Sequence, residues 1–409
     1  MRPAHVSRMS EFRLGWPTLL GATVAYSTGV GLFNYTSSFF VTSLQQDFGW
    51  SRAQVAFGFT LTLLTCAAVL PLMGHLTDRY GSLKVGGSGL GGYGIMCLVL
   101  AMIPGTLLAF YGVLVILAAA YAATAVAFAP LVAGRFVRHR GLAIGILMSG
   151  PAILLVPASP LLTNLIAVAG WRAGYLALGL GALLMGLPGL ILAVRHSGKF
   201  ARKEHGKTPG LGLSKALRTP TYWKLISGTL FSTLALGGVL HEYAPMLADK
   251  NVSATTIGLL GSIFVAMILV GRVTVGLLLD HVNPSLVALL AMLGAAAGAL
   301  LMLQPEPSFA LAALFLALVG CAYGAESDIQ AFFVAREFGL ASFSTIFSTM
   351  MTMAAVGLGL GALLFGWLRD FGGNYDIAIY IAAAMFTAGG MVFGSLPRKA
   401  VTDAPALAT

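Results

Sequence analysis

Long apolar runs separated by short polar breaks dominate the chain. Windows of about 20 apolar residues, the length a helix needs to cross a bilayer, occur at 17–44, 54–77, 84–103, 106–134, 141–168, 173–194, 221–248, 255–279, 285–303, 308–334, 340–367 and 375–395. A membrane β-barrel would show alternating segments of about ten residues, half of them polar. The pattern therefore predicts an all-α membrane protein with twelve transmembrane helices. The leading MRPAHVSRMSEFR lacks a short apolar core with a cleavage site, so no removable signal peptide is expected.

The polar breaks differ in charge. Basic residues gather at alternate ends of the spans: Arg2, Arg8 and Arg13; Arg79 and Lys84; Arg135, Arg138 and Arg140; a run from Arg195 to Lys224; Arg336; Arg398 and Lys399. The opposite ends carry Arg52, Arg172, Lys250 and Arg369. Lys and Arg bias toward the cytoplasm predicts that both termini are cytoplasmic, in a bacterial-type inner membrane. The longest break, 196–219, divides the spans six and six. The expected organisation is an N-terminal six-helix bundle over 1–195, a cytoplasmic linker over 196–219 and a C-terminal six-helix bundle over 220–409. The basic linker has the charge to meet anionic lipid heads, although a solvated connector is the simpler expectation.

Composition removes competing classes. Of 409 residues, 58 % are apolar and 9 % charged, and mean hydropathy is +0.88. A soluble domain carries about 25 % charge, so a soluble enzyme, a nucleic-acid-binding domain and a disordered chain are all excluded. The net charge of +10 is then a topology signal, and no nucleic-acid partner is expected. Cys66, Cys97 and Cys321 lie far apart inside apolar runs, with neither disulfide nor metal spacing. No metal cluster, nucleophile elbow or phosphate-binding glycine loop with Lys is present. Neither enzymatic activity nor a cofactor is expected, nor ATP-driven transport within this chain. A monomer is the expected state.

The halves echo each other. Ser51 opens span 2 and Asp78 closes it; Ser253 and Asp280 repeat the same spacing in span 8, and Gly74 and Gly276 each precede their Asp by four residues. The serines are predicted helix N-caps. Span 5 opens at Arg140-Gly141-Leu142 and span 11 near Phe338-Gly339-Leu340. Two such repeats imply alternating access around a site near the bilayer midplane.

Gly74-His75-Leu76-Thr77-Asp78-Arg79-Tyr80-Gly81-Ser82-Leu83-Lys84 joins spans 2 and 3. An Asp at such a turn, with Arg79 beside it and Arg135, Arg138 or Arg140 as partners, predicts a breakable gate. This pattern resembles the signature loop of the major facilitator superfamily, and with the twelve spans the resemblance covers nearly the whole chain. The second copy is degenerate, with His281 and Pro284 in place of the usual continuation. Gly15-Trp16, Phe48-Gly49-Trp50-Ser51-Arg52, Arg140-Gly141-Leu142-Ala143-Ile144-Gly145 with Gly150, Tyr243-Ala244-Pro245 and Gly271-Arg272 together resemble monocarboxylate transporters and relatives around the oxalate:formate antiporter. The resemblance implies the major facilitator fold, two pseudo-symmetric six-helix bundles. It also implies transport of small organic anions, in monocarboxylate transporters together with a proton.

Ionisable groups inside a membrane are functional candidates by default. Arg272 lies eight residues before Asp280, about 12 Å from that helix end at 1.5 Å per residue, and it is the only Lys or Arg placed deep within a span rather than at its end. Its planar fork can hold a carboxylate bidentately. In the resembled family a span-8 Arg anchors substrate, and the match falls on Arg272. An Arg272 tied to an acid with no opening beside it would remove that role. Span 10 supplies Tyr323, Glu326, Asp328 and Gln330. Helical spacing puts Tyr323, Glu326 and Gln330 on one face and Asp328 on another, where it can pair with Arg272. One cation against two acids predicts that one acid carries a proton, a route to coupled uptake of anion and proton. His241, in the outer part of span 7, is a further proton-coupling candidate.

Asn34 and Tyr35 in span 1 and Tyr121 in span 4 complete the candidate substrate contacts. The resemblance matches Tyr121 to a substrate-contacting tyrosine, and puts Asn34 where monocarboxylate carriers often have a Lys. The oxalate carrier's span-11 Lys has no counterpart in 340–367. A single cation suits one carboxylate, so a monocarboxylate symporter is favoured, with Phe332, Phe333, Phe343 and Phe347 available for an apolar body. The alternative is a proton-coupled efflux antiporter for amphipathic or cationic compounds, using Glu326 or Asp328 as the cation site.

Overall fold

The structure, a computed structural model, describes residues 8–197 and 210–397. Among them, ten helices are long and apolar enough to cross a membrane. One of these, Arg140–His196, runs for 57 residues, about 85 Å at the helical rise and far more than one crossing needs. It breaks at Gly170, whose φ of 82° and ψ of 168° suit a residue without Cβ. Beyond the break the chain folds back, so that the Ile166 side chain lies 2.8 Å from where a Cβ on Gly174 would sit. This helix is therefore spans 5 and 6. Span 1 is also irregular. It runs from Arg8 to Tyr26, passes through a wide turn at Ser27–Gly31 with non-helical dihedrals at Gly29, and continues in short pieces to Phe48. Ser27, Thr28 and Thr36 donate their hydroxyls to carbonyls one turn back, which satisfies the backbone where the helix is interrupted. All twelve predicted spans are thus present.

The described chain forms two compact units. The first comprises 8–139, 146–197 and Leu340–Ser348; the second comprises Arg140–Gly145, Gly210–Gly339 and 349–397. Their internal packing repeats. In the first, Arg52–Tyr80 packs along Leu107–Ala127, and Arg8–Tyr26 along Leu187–His196. In the second, Ala254–His281 packs along Phe309–Glu337, and Pro220–Asp249 along Asp376–Gly394. Ser51 and Ser253 cap their helices by accepting from the N–H groups of Gln54 and Thr256, as their spacing predicts. Large apolar side chains such as Leu64, Leu72, Leu161, Val168, Leu184 and Leu363 are exposed, as expected where the surrounding medium is lipid.

Candidate functional site

Among the described residues, the buried acidic side chains lie in the second unit. Arg272 and Asp328 come from the packed helices Ala254–His281 and Phe309–Glu337. Arg272 Nη1 donates to Asp328 Oδ1 and to Ser327 Oγ, each over 3.1 Å. The Asp328 side chain is fully enclosed, while that of Arg272 keeps 12 % exposure. The second carboxylate oxygen, Asp328 Oδ2, is buried and has no hydrogen-bond partner among the described residues. One turn of Gly145 lies against this pair: a Cβ there would stand 2.7 Å from the Arg272 carbonyl and 3.5 Å from Asp328 Oδ2. The glycine therefore lets the start of span 5 approach the charged layer.

Glu326 is buried on the same helix as Asp328. Gln330, one turn on, donates its amide to Glu326 Oε1, and the Gln330 Oε1 atom is buried without a partner among the described residues. Tyr323 is half-buried, its ring 6.1 Å from Phe264. The predicted split of span 10 is thus seen: Glu326 and Gln330 interact along one face, and Asp328 turns to Arg272. Ser327 is an added partner that sequence reasoning missed, since a lone serine in an apolar helix carries no distinguishing pattern.

The other candidates lie elsewhere. His241 is exposed, with Nδ1 2.8 Å from the Gly237 carbonyl, and its neighbour Glu242 accepts the Tyr375 hydroxyl at 2.7 Å. Glu242 also lines a small cavity with Val239, Met246, Phe315 and Phe365. In the first unit Tyr121 is buried, 6.1 Å from the Phe33 ring. Asn34 and Tyr35 fall in the helix Leu32–Thr36, and their side chains lie outside the described residues. Phe333, Phe343 and Phe347 are fully buried, and Phe332 nearly so.

The repeated Asp residues are held by helix N-termini. Asp78 accepts the N–H groups of Ser344 (3.1 Å) and Thr345 (2.7 Å) and the Thr345 hydroxyl (2.6 Å). Asp280 accepts the N–H groups of Gly141 (2.7 Å) and Leu142 (2.9 Å). Each carboxylate thus satisfies two of the four N–H groups that a helix start leaves unpaired, at its positive dipole end. The repeated glycines permit the approach. A Cβ on Gly276 would lie 2.7 Å from the Gly141 carbonyl, and one on Gly74 would collide with Ser344 and Ser348. Arg79 lies beside this contact with its guanidinium 5.3 Å from the Tyr80 ring, while Arg138 is exposed and Arg140 half-buried.

Among the described residues, twelve apolar spans in two units of repeated packing, a buried Arg–Asp pair and, in each unit, a carboxylate bound by the amides of a helix start fit a polytopic membrane carrier. The family model described as Major Facilitator Superfamily matches residues 19–247, and the chain belongs to that family of transporters, which are not enzymes. Among its relatives is an uncharacterised 38 kDa protein of Thermoproteus tenax, 26 % identical, covering 87 % of this chain and 90 % of that one. Bos taurus monocarboxylate transporter 13 is 27 % identical over 66 % of this chain and 63 % of its own length. The oxalate:formate antiporter of Oxalobacter formigenes is 28 % identical over 50 % of this chain and 49 % of its own. The chain thus matches less than two thirds of the length of these two named transporters. The fold is also that of the major facilitator transporter FucP, with a TM-score of 0.67 at 16 % identity, covering 92 % of this chain and 97 % of that one.

Proposed function

We propose that the protein is a secondary active carrier of small organic anions of the monocarboxylate type. It takes the anion together with a proton by alternating access, in a bacterial-type inner membrane with both termini cytoplasmic. The observation that carries this reading is the buried Arg272–Asp328 pair. A substrate carboxylate competes with Asp328 for the guanidinium, a planar group that binds carboxylates of either origin. The displaced Asp328 is then an enclosed carboxylate without its cation. Leaving a buried charge unpaired is strongly unfavourable, and a proton removes it. Anion binding and proton binding thereby become one event. Glu326, held by Gln330 on the same helix, is the second acid available to that proton, and Tyr323 is available to the substrate body. Substrate contacts by Tyr121, Asn34 and Tyr35, proton entry at His241, and gating at Asp78 with Arg79, Arg138 and Arg140 belong to the same reading. Partial similarity to named monocarboxylate and oxalate:formate transporters supports the substrate class.

The test is uptake of radiolabelled lactate, pyruvate and benzoate into proteoliposomes under an imposed pH gradient. Accumulation driven by external acid is expected for at least one of these acids, and R272K should abolish it. Uptake that ignores pH removes the proton from the scheme. Competition by tetraphenylphosphonium, and not by carboxylates, would favour an efflux carrier for lipophilic cations instead.

A further inference from the structure

The turn that precedes span 5 is gripped from the far N-terminal end of the chain. The helix Ala129–Arg135 stops at Phe136, whose φ of −106° and ψ of 118° are extended, and the next helix begins at Arg140. The amides of Val137, Arg138 and His139 lie between the two helices. Glu11 binds all three: its Oε1 accepts the N–H groups of Val137 (2.7 Å) and Arg138 (3.3 Å), and its Oε2 accepts that of His139 (3.2 Å). Consecutive amides converging on one anion form a nest, a concavity suited to negative charge. Glu11 is itself fixed, because the Phe12 ring packs 5.1 Å from Phe136 and 5.5 Å from His139. Gly15 leaves the space for that packing, since a Cβ there would lie 2.6 Å from the Phe136 ring.

Past Arg140, the first residue of the helix, come Gly141 and Leu142, whose amides hold Asp280. Five amides within 137–142 are therefore bound by two carboxylates, those of 137–139 by Glu11 and those of 141–142 by Asp280. The dihedrals of 136–139 set the direction in which the helix starts, and so where its amides point. The second repeat has the same layout with other chemistry. Leu211, in the lead-in to span 7, donates its N–H to the Phe338 carbonyl over 2.8 Å, and Gly210 bridges Gly339. That turn leads on to Ser344 and Thr345, which hold Asp78. In the second copy the lead-in segment donates a backbone N–H to the turn, where in the first Glu11 accepts from it.

We infer that Glu11 is a positioning residue for the latch: its carboxylate orders the Phe136–His139 turn and thereby presents Gly141 and Leu142 to Asp280. The inference rests on the proposed gating at Asp78 and takes Asp280, its counterpart in the other repeat, as a second such contact that opens during transport.

Residue-resolved amide hydrogen exchange on the full chain in lipid nanodiscs tests it, with wild type, E11A, E11Q, D280N and E11A/D280N. E11A should speed exchange about tenfold at 137–139 and also at 141–142. E11Q, which keeps one carbonyl acceptor, should fall between E11A and wild type. D280N should speed 141–142 alone, and E11A should add nothing there in the D280N background. Faster exchange at 137–139 with wild-type protection at 141–142 would reduce Glu11 to an anchor of the N-terminal segment and overturn the inference. Wild-type exchange throughout E11Q, the variant that decides if E11A does not fold, overturns it as well. If D280N leaves 141–142 protected, the latch reading itself is wrong and the role of Glu11 falls with it.

Discussion

Arg272 and Asp328 meet over 3.1 Å between two packed helices, and the acid is wholly enclosed while the base is nearly so. Such a pair is energetically lopsided. Deleting one partner strands a charge and costs about 3–5 kcal/mol, whereas replacing both by apolar side chains is often close to neutral. R272L and D328L should therefore each lower the melting temperature of the purified protein sharply. R272L/D328L should recover most of the loss and still fail to carry any anion. A double variant as unstable as the singles would show that their cost has another origin.

The Asp78 carboxylate accepts three hydrogen bonds from Ser344 and Thr345. Hydrogen bonds to a charged group contribute about 1.5–3 kcal/mol each, so D78N should shift the conformational equilibrium about tenfold or more. The expected transport phenotype is a several-fold fall in Vmax with KM changed less than about twofold, because a gating contact acts on the conformational change and not on substrate binding. An unchanged Vmax would remove Asp78 from the transport cycle.

The glycines at the latches are there for space. G276A puts a methyl 2.7 Å from the Gly141 carbonyl, and backbone cannot retreat as a flexible side chain can. G74A meets Ser344 and Ser348 in the same way. Both should lower stability and uptake. Gly91, mid-helix in Ser82–Leu100, faces open space. G91A should be stabilising by about 0.5–1 kcal/mol, the usual cost of glycine inside a helix, and should leave transport unchanged. Melting curves of the three variants side by side provide the check.

Asp47 binds the Trp171 indole N–H at 2.8 Å and Arg172 at 2.7 Å. The Trp171 bond first, and then Arg172, hold the Asp47 carboxyl below its ordinary range. A lowered carboxylate contributes its stability above the unfolded value of about 3.9, and loses it as pH falls through the lower folded value. The clip should therefore be intact from pH 7 down to about 4 and open only in stronger acid. Trp171 emission should report the opening, and D47N should lack the acid transition. Emission that changes near pH 6 instead would point to a histidine.

Much of the architecture is written in one dimension. The spacing of apolar windows marks twelve spans because a bilayer imposes one length on every helix that crosses it, and the paired Ser–Gly–Asp spacings show the duplication. Even the division of labour in span 10 follows from helical angle, since Glu326 and Asp328 lie two residues apart and must face different neighbours. Arg272 stands out because a lone cation in an apolar run is costly to keep.

Contacts between distant segments are another matter. The sequence points to nearby arginines as partners for Asp78; the structure adds the backbone amides of Ser344 and Thr345, more than 260 residues away. Backbone amides are the same in every residue, so no side-chain pattern announces which helix start will receive a carboxylate. Glu11 beneath the Val137–His139 turn escapes for the same reason, and Ser327 beside Arg272 escapes because a lone serine in an apolar helix carries no pattern. Local periodicity records which medium each helix faces. The groups that end up within hydrogen-bonding reach are chosen by packing, when helices that share no sequence signal are brought side by side.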